Sequence, residues 1–428
     1  MISLKILRYT SIREVVTQQH SIKLSFSPFH LYIQRRWLKP VDSAQTRLEN
    51  RTRDHRLDKL IVHHRKLKII LEIEKFMSCK KRGPFVSVQL MSRWKNVVGL
   101  NIGVGAFIRK YPHVFELFSH PARRNLCCRM TDKMRALLDE EGNIIRACEA
   151  NAVMRIKKLL LMSKNRVLHV HALRLIRREL GLPEDFRDSI LAKYISDFKL
   201  VDLETVELTD ADESLAVANV EQWREKEYRE KWLSEFETKF AFPIDFPTGF
   251  KIERGFREKL KNWQRLPYVK PYEKHDVRKG HTRGGVERFE KRAVAVIHEL
   301  LSLTVEKMVE VERLAHFRKD LGMEVNIREL LLNHPGIFYI STKGGIQSVF
   351  LREAYSKGCL IESNPIYNVR RKLLDLVLLE QRYTRELQTQ DETLDEESDD
   401  CEEEWMKGTR DGDWVLPILE HEADSFPE

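Results

Sequence analysis

Long apolar runs are missing from this chain: no stretch of about 18 consecutive apolar residues occurs, so no segment is long enough to span a bilayer as a helix. Cysteine is sparse. The six residues Cys79, Cys127, Cys128, Cys148, Cys359 and Cys401 form no CxxC pair and follow no regular spacing. That excludes a zinc ribbon and a secreted disulfide framework, and fits a reducing compartment. A phosphate loop is also lacking, because the glycine-containing stretch GLNIGVG has neither the lysine nor the hydroxyl of a Walker sequence. The histidine pairs His63 with His64 and His169 with His171 are not at i, i+4 spacing and have no Cys or carboxylate at ligand spacing. No metal and no cofactor is expected. No cysteine sits in a glycine-rich oxyanion turn of the kind a thiol protease requires, so no catalytic residue is assigned and the chain reads as a non-enzyme.

Acidic residues are scarce everywhere except at one end. From Glu386 onward the chain holds 17 Asp or Glu against Lys407 and Arg410, whereas residues 1–385 hold 72 Lys or Arg against 48 Asp or Glu, a net +24. Like charges in blocks cannot collapse, so residues 386–428 are expected to be a disordered acidic tail. The cationic body suits a polyanion, since each neutralised phosphate releases condensed counterions. In residues 1–41 there are seven Lys or Arg, several hydroxyl residues and one acid, Glu14. This is the composition of an organellar transit peptide, with mitochondria as the first reading and chloroplasts as the second. A basic arm without an address is the plainer alternative.

The 428 residues allow two or three compact units, and the periodicity of the body is mainly helical. Leu57, Leu60, Ile61, His64, Leu67 and Leu71 recur at i, i+3, i+4, i+7 and predict a helix over 55–77. The same pattern predicts helices over 151–162, 167–180, 219–238, 286–316 and 368–387. A degenerate repeat occurs three times: GLNIGVGAFIRKYPHVFEL from Gly99, GLPEDFRDSILAKYISDFKL from Gly181 and GMEVNIRELLLNHPGIFYI from Gly322. Each begins with glycine and places a ring four residues before a Phe: Tyr111 and Phe115, Tyr194 and Phe198, His334 and Phe338. Each is followed by a strand–turn–strand pattern, the last with Gly344 and Gly345 at the reversal. The fold class is therefore mainly α with short β-hairpins (α+β), in repeated helix–hairpin units that are either winged-helix-like or plain helical hairpins. Such units serve nucleic acid or protein binding equally, so the fold alone does not decide.

The densest aromatic and proline pattern runs from Tyr228 to Glu273: YREKWLSEFETKFAFPIDFPTGFKIERGFREKLKNWQRLPYVKPYE. Together with GPFVSVQLMSRW, KYPHVF and NHPGIFYIS, in that order along the chain, it resembles the plant organelle RNA recognition (PORR) domain, over roughly residues 50–385. Possible sub-units are 50–150, 151–218 and 219–385. The resemblance implies a plant protein imported into mitochondria or chloroplasts that binds organellar group II intron RNA and supports splicing in mRNA processing, alongside other splicing factors, without DNA as a partner. It transfers no catalytic motif.

Irregular RNA is gripped by cations along its backbone and by planar side chains that stack on bases, at about 1–3 kcal/mol per base. In the central segment Lys251, Arg254, Arg257, Lys259 and Lys261 alternate with Phe250, Phe256, Trp263, Tyr268 and Tyr272. Trp263 and Tyr268 are the stacking candidates, with Phe242, Phe246 and Phe256 expected in the core. Arg174, Arg177 and Arg178 share a face of HVHALRLIRREL, Arg155, Lys157 and Lys158 precede it, and Lys80, Lys81 and Arg82 form a basic turn before Gly83. The loop DVRKGHTRGG adds Arg278, Lys279, His281 and Arg283 on a glycine backbone, as an arm to close over RNA. Solvated helix faces would account for any one of the Arg174, Arg155 and Lys80 clusters, but not for this loop. Two other functions remain open: a nuclease built on Asp210, Asp212 and Glu213, which read more simply as a helix cap, and a protein-binding scaffold.

Overall fold

Gly99, Gly181 and Gly322 end a helical turn in the same way in all three copies of the repeat. Their φ angles are +71°, +67° and +63°, the left-handed region that glycine enters without steric cost. In each, the next N–H reaches back five residues, Leu100 to Lys95 O, Leu182 to Arg177 O and Met323 to Arg318 O, at 2.8–2.9 Å. This closure satisfies carbonyls that the end of the helix leaves open. The computed structural model describes residues 44–79, 85–122, 124–202, 204–210, 212–230, 241–247, 249–251, 255–273, 283–323, 325–362 and 364–389.

The chain opens with α1 (Ala44–Asn50) and α2 (His55–Ser78). The first copy follows as β1 (Phe85–Ser87), α3 (Val88–Met91), α4 (Val104–Arg109) and the hairpin β2 (Phe115–Ser119) and β3 (Leu126–Met130). After α5 (Asp132–Ala147), the second comprises α6 (Glu149–Met162), β4 (Val167–His169), α7 (Val170–Leu175), a helical turn at Arg187–Leu191, β5 (Phe198–Leu200) and β6 (Thr205–Leu208). Between copies two and three lie α8 (Asn219–Glu230) and α9 (Phe256–Arg265). The third copy has α10 (Arg283–Leu303), β7 (Met308–Glu310), α11 (Val311–His316), α12 (Ile327–Asn333), β8 (Phe338–Ser341) and β9 (Ser348–Leu351). A small ribbon, β10 (Tyr355–Ser356) with β11 (Cys359–Leu360), precedes α13 (Pro365–Thr389).

The three sheets have one topology, β1-β3-β2, β4-β6-β5 and β7-β9-β8, all antiparallel. A helix, a strand, two short helices and a hairpin whose far strand returns to the middle is the winged-helix arrangement, so the fold is α+β. Its registers repeat: Val86 pairs with Cys128, Leu168 with Val206 and Val309 with Val349, each residue buried on the core side. The ring-to-Phe spacing also gains a physical meaning. Phe115, Phe198 and Phe338 donate their N–H to the carbonyls of Tyr111, Tyr194 and His334, which turns the chain out of its helix and into the hairpin.

The structure corrects two expected helices, both for the same reason. Residues 167–180 begin as strand β4 before α7, and 286–316 divide into α10, β7 and α11. In VLHV and MVEV the first apolar residues pair across a sheet, and the chain enters each strand from a residue at positive φ, Arg166 at 59° and Lys307 at 48°. Apolar spacing alone does not separate a three-residue strand from the first turn of a helix. The same FVSV-type strand opens copy one. The helix predicted over 219–238 is described as Asn219–Glu230, with residues 231–240 outside the described residues. That over 368–387 runs Pro365–Thr389. The amino-terminal 1–43 and the acidic 390–428 also lie outside them.

The chain forms two compact units. One contains the residues up to Arg65 with Glu141–Asn368, and the other Lys66–Glu140 with the residues from Val369. In the first, copies two and three share one apolar core around α10, including Ile156, Leu173, Phe198, Ile297, Leu314 and Phe338. In the second, Val104, Ile108, Val114 and Met134 are buried. Among the described residues no helix is long and apolar enough to cross a membrane.

Candidate nucleic-acid interface

Ten consecutive residues, FREKLKNWQR, form α9, with one acid, Glu258, against Arg257, Lys259, Lys261 and Arg265. Gly255, at φ +81°, turns the chain into the helix, and Pro267 forces Leu266 into an extended conformation that ends it. The helix is strongly two-faced. Leu260, Trp263 and Gln264 turn inward, and Arg257, Lys259 and Arg265 are exposed, with Lys261 half-buried. Arg257, Lys261 and Arg265 fall at i, i+4, i+8 and so make one row of like charge, a spacing that destabilises a helix by a few tenths of a kcal/mol per pair. Among the described residues, none of these four cations, nor exposed Lys251, forms an ion pair.

Two fully buried polar side chains hold this helix in place. Gln264 reads the backbone of the neighbouring segment: its Oε1 accepts from Ala241 N at 2.8 Å and Phe242 N at 3.3 Å, and its Nε2 donates to Phe242 O at 3.3 Å. Lys291, on α10, caps the far end of α9. Its Nζ donates to Trp263 O and Gln264 O at 2.9 Å and to Leu266 O. Cations at a helix C-terminus are favoured by the carbonyl dipoles, but burial, helped by Arg224, pulls this ammonium down to about 8. The segment 241–247 is fixed in turn at Asp245, whose N–H donates to Gly336 O at 2.8 Å and whose carbonyl accepts from Arg352 Nε at 2.7 Å. Buried Arg352 also pairs with Asp245 at 3.2 Å and Asp54 at 3.3 Å.

Trp263 and Tyr268 are half-buried and pack on the core. The Trp263 indole stacks on Phe242 at 5.7 Å and meets His334 at 4.3 Å. Phe242 is buried as expected, and Phe246, Phe250 and Phe256 cluster at 4.7–6.1 Å. Tyr272 donates to Glu299 at 2.7 Å, so its hydroxyl titrates above its ordinary range, through burial and then that carboxylate.

The remaining cations divide by partner. Arg155 donates to Leu180 O at 2.9 Å. Lys157 pairs with Asp197 at 2.9 Å, and Lys158 with Glu299 at 3.4 Å while donating to Val217 O. Arg177 pairs with Glu184 at 2.6 Å and Arg178 with Glu141 at 3.5 Å, whereas Arg174 is exposed. Helix α7 ends at Leu175, so Arg174 does not share a continuous helical face with Arg177 and Arg178. Lys80, Lys81, Arg82, Arg254, Arg278, Lys279 and His281 lie outside the described residues, and Arg283 is described only as the first residue of α10. Arg265 was not among the residues read from sequence, although it continues the i, i+4 series from Arg257 and Lys261. Lys291 and Gln264 carried no sequence signal, because a buried capping side chain looks like any surface Lys or Gln.

Asp212 accepts from Ser214 N at 2.9 Å and caps the helical turn Glu213–Leu215, which lowers its carboxyl pKa. Among the described residues no group of three or more His, Cys, Asp or Glu could hold a metal ion.

The sequence profile of the plant organelle RNA recognition domain matches residues 52–382. The chain is 37% identical over 381 residues to Protein ROOT PRIMORDIUM DEFECTIVE 1 of Arabidopsis thaliana, over 85% of this chain and 92% of that protein. It is 31% identical over 378 residues to Protein WHAT'S THIS FACTOR 1, chloroplastic, of Zea mays, over 82% of this chain and 74% of that one. With Protein WHAT'S THIS FACTOR 9, mitochondrial, of Arabidopsis thaliana, it shares 28% identity over 298 residues, 68% of this chain and 75% of that protein. No solved structure matches.

Proposed function

This chain belongs to the plant organelle RNA recognition domain family, and from that membership we propose that it is an organellar RNA-binding protein that holds group II intron RNA in a splicing-competent fold. The observation that carries the reading is the cationic face of α9, free of ion pairs among the described residues and locked onto the core by Gln264 and Lys291. A rigid row of point charges at helical spacing suits a phosphate backbone, and preorganised cations lose little freedom on binding. Arg257, Lys259, Lys261 and Arg265, with Lys251 and Arg174, are the proposed phosphate contacts. The chemistry of splicing belongs to the RNA, so the protein need supply no catalytic group.

Mitochondria are the proposed compartment, supported by the basic, acid-poor residues 1–41. The chloroplastic and mitochondrial designations of the relatives are compatible with either organelle.

The test is binding of purified protein to intron transcripts over a series of salt concentrations. Affinity should fall linearly on a log–log plot, and the RNA should stay intact in the presence of Mg²⁺. Absence of binding at low salt would overturn the RNA reading in favour of a protein scaffold, and cleavage lost on Asp212→Asn would favour a nuclease.

A further inference from the structure

Helix α10 carries four buried charged or titratable groups in a row of otherwise apolar residues, and three of them have a partner of opposite polarity close by. Lys291 has three carbonyls, Glu299 accepts from Tyr272, Lys158 and the Asn219 N–H, and His298 Nε2 lies 2.8 Å from Glu353 Oε1, outside hydrogen-bond geometry. The fourth, Arg292, is only 6% exposed, and among the described residues it has no carboxylate partner. Its Nη1 donates to Leu321 O at a long 3.3 Å, and its Nε is buried without any acceptor. A buried guanidinium without a counter-ion is costly enough that native folds avoid it unless something else supplies the charge.

Arg292 lines a cavity of about 460 Å³ within one compact unit, in the size range of small-molecule sites. The cavity wall also carries Lys164, Arg166 and Lys270 against Glu213 and Glu273, a cationic excess. Among the described residues none of those three cations forms an ion pair. Arg166 stands at φ 59°, the same backbone position that Lys307 occupies in copy three. There the side chain turns inward to Ser302 O, whereas Arg166 lines the cavity. The half-buried rings of Tyr272 and Phe289 form part of the same wall.

We propose that this cavity binds one nucleotide unit, its phosphate neutralising Arg292 together with Lys164 and Arg166 and its base lying beside Tyr272 and Phe289. The inference deepens the RNA reading where that unit is part of a bound strand, and stands apart from it where the ligand is a free mononucleotide.

The experiment uses the full chain, with inorganic phosphate, uridine 5′-monophosphate and a short single-stranded RNA as probes, read by melting temperature and equilibrium dialysis. Two variants are compared: Arg292→Met, which removes the charge at similar length, and Lys164→Ala with Arg166→Gly, which changes only the rim. The nucleotide and phosphate should raise the melting temperature of the natural protein and not that of Arg292→Met, which itself should melt no lower. The rim variant should bind the nucleotide about tenfold more weakly, as expected on losing a charge-assisted contact. RNA affinity reduced in both variants assigns the nucleotide to a strand. Nucleotide binding lost with RNA affinity unchanged assigns it to a free mononucleotide, and nucleotide binding without any RNA binding sinks the RNA reading alone. Should neither small probe bind, or should the rim variant bind the nucleotide as well as the natural protein does, the cavity is no such site, whatever the RNA does.

Discussion

Lys291 donates to the carbonyl oxygen of Trp263 at 2.9 Å while its ammonium sits 5.1 Å from the centroid of that residue's own indole. One side chain thus satisfies the end of α9 and fills the space under its only tryptophan. The pull of the carbonyls and of the ring favours the charged form, burial opposes it, and burial prevails.

A pH dependence follows. With a folded value of about 8 against an ordinary lysine in the unfolded chain, the unfolded state holds more protons between pH 8 and about 10.4, so stability should rise with pH across that window. The charged form is therefore the costly one, by a magnitude on the order of 3 kcal/mol. Urea midpoints of the natural protein and Lys291→Met, measured from pH 7.5 to 10.5, should diverge in favour of the natural protein as pH rises. Parallel curves would mean that the ammonium is not desolvated.

Gln264→Leu keeps the volume and removes three hydrogen bonds, leaving the buried backbone groups of Ala241 and Phe242 unpaired. The expected loss is about 2–4 kcal/mol by chemical denaturation. Gln264→Glu should be worse still, since it brings a negative charge beside Phe242 O.

The exposed row on α9 should behave in the opposite way. Changing Arg257, Lys261 and Arg265 together to Ala should leave stability within about 0.5 kcal/mol and lower the salt slope of single-stranded RNA binding by about 2. Lys157→Ala with Arg177→Ala, which removes two intramolecular ion pairs, should leave that slope unchanged.

Gly181 and Gly322 share a backbone conformation but not their surroundings. A Cβ on Gly181 would meet Ile366 at 2.9 Å and Val305 at 3.0 Å, while one on Gly322 would meet nothing within 4 Å. Gly322→Ala should therefore cost about 1 kcal/mol of backbone strain and Gly181→Ala about 2 kcal/mol more, as separate denaturation curves would show.

The repeated glycine, the ring four residues before Phe and the hairpin after it were all legible in the sequence, because each imposes a local backbone requirement at a fixed spacing. The strands FVSV, VLHV and MVEV were not, since three residues carry too little periodicity and their partners lie some 40 residues onward in the pairings Val86 with Cys128 and Leu168 with Val206. Within the candidate site, the alternation of cations and rings from Phe250 to Tyr272 marked the segment that forms α9. It could not distinguish Lys157, spent on Asp197, from Lys259, which is exposed, because the partner is set by tertiary folding. Arg292 is the extreme case: in AVAV-flanked sequence a guanidinium reads as an interruption of the apolar face, and only its missing acceptor marks it out.

Each three-stranded sheet draws every strand from its own copy, from Phe85 to Met130, from Val167 to Leu208 and from Met308 to Leu351. Pairing within a sheet therefore never reaches beyond its own copy, which keeps contact order below that of a sheet assembled across copies and lets each unit form as it leaves the ribosome. Residues added in the links that flank α8 and α9 would leave every strand partner in place, at an entropic cost that grows only with the logarithm of length. Evolution can thus lengthen the segment bearing α9 while every wing stays intact.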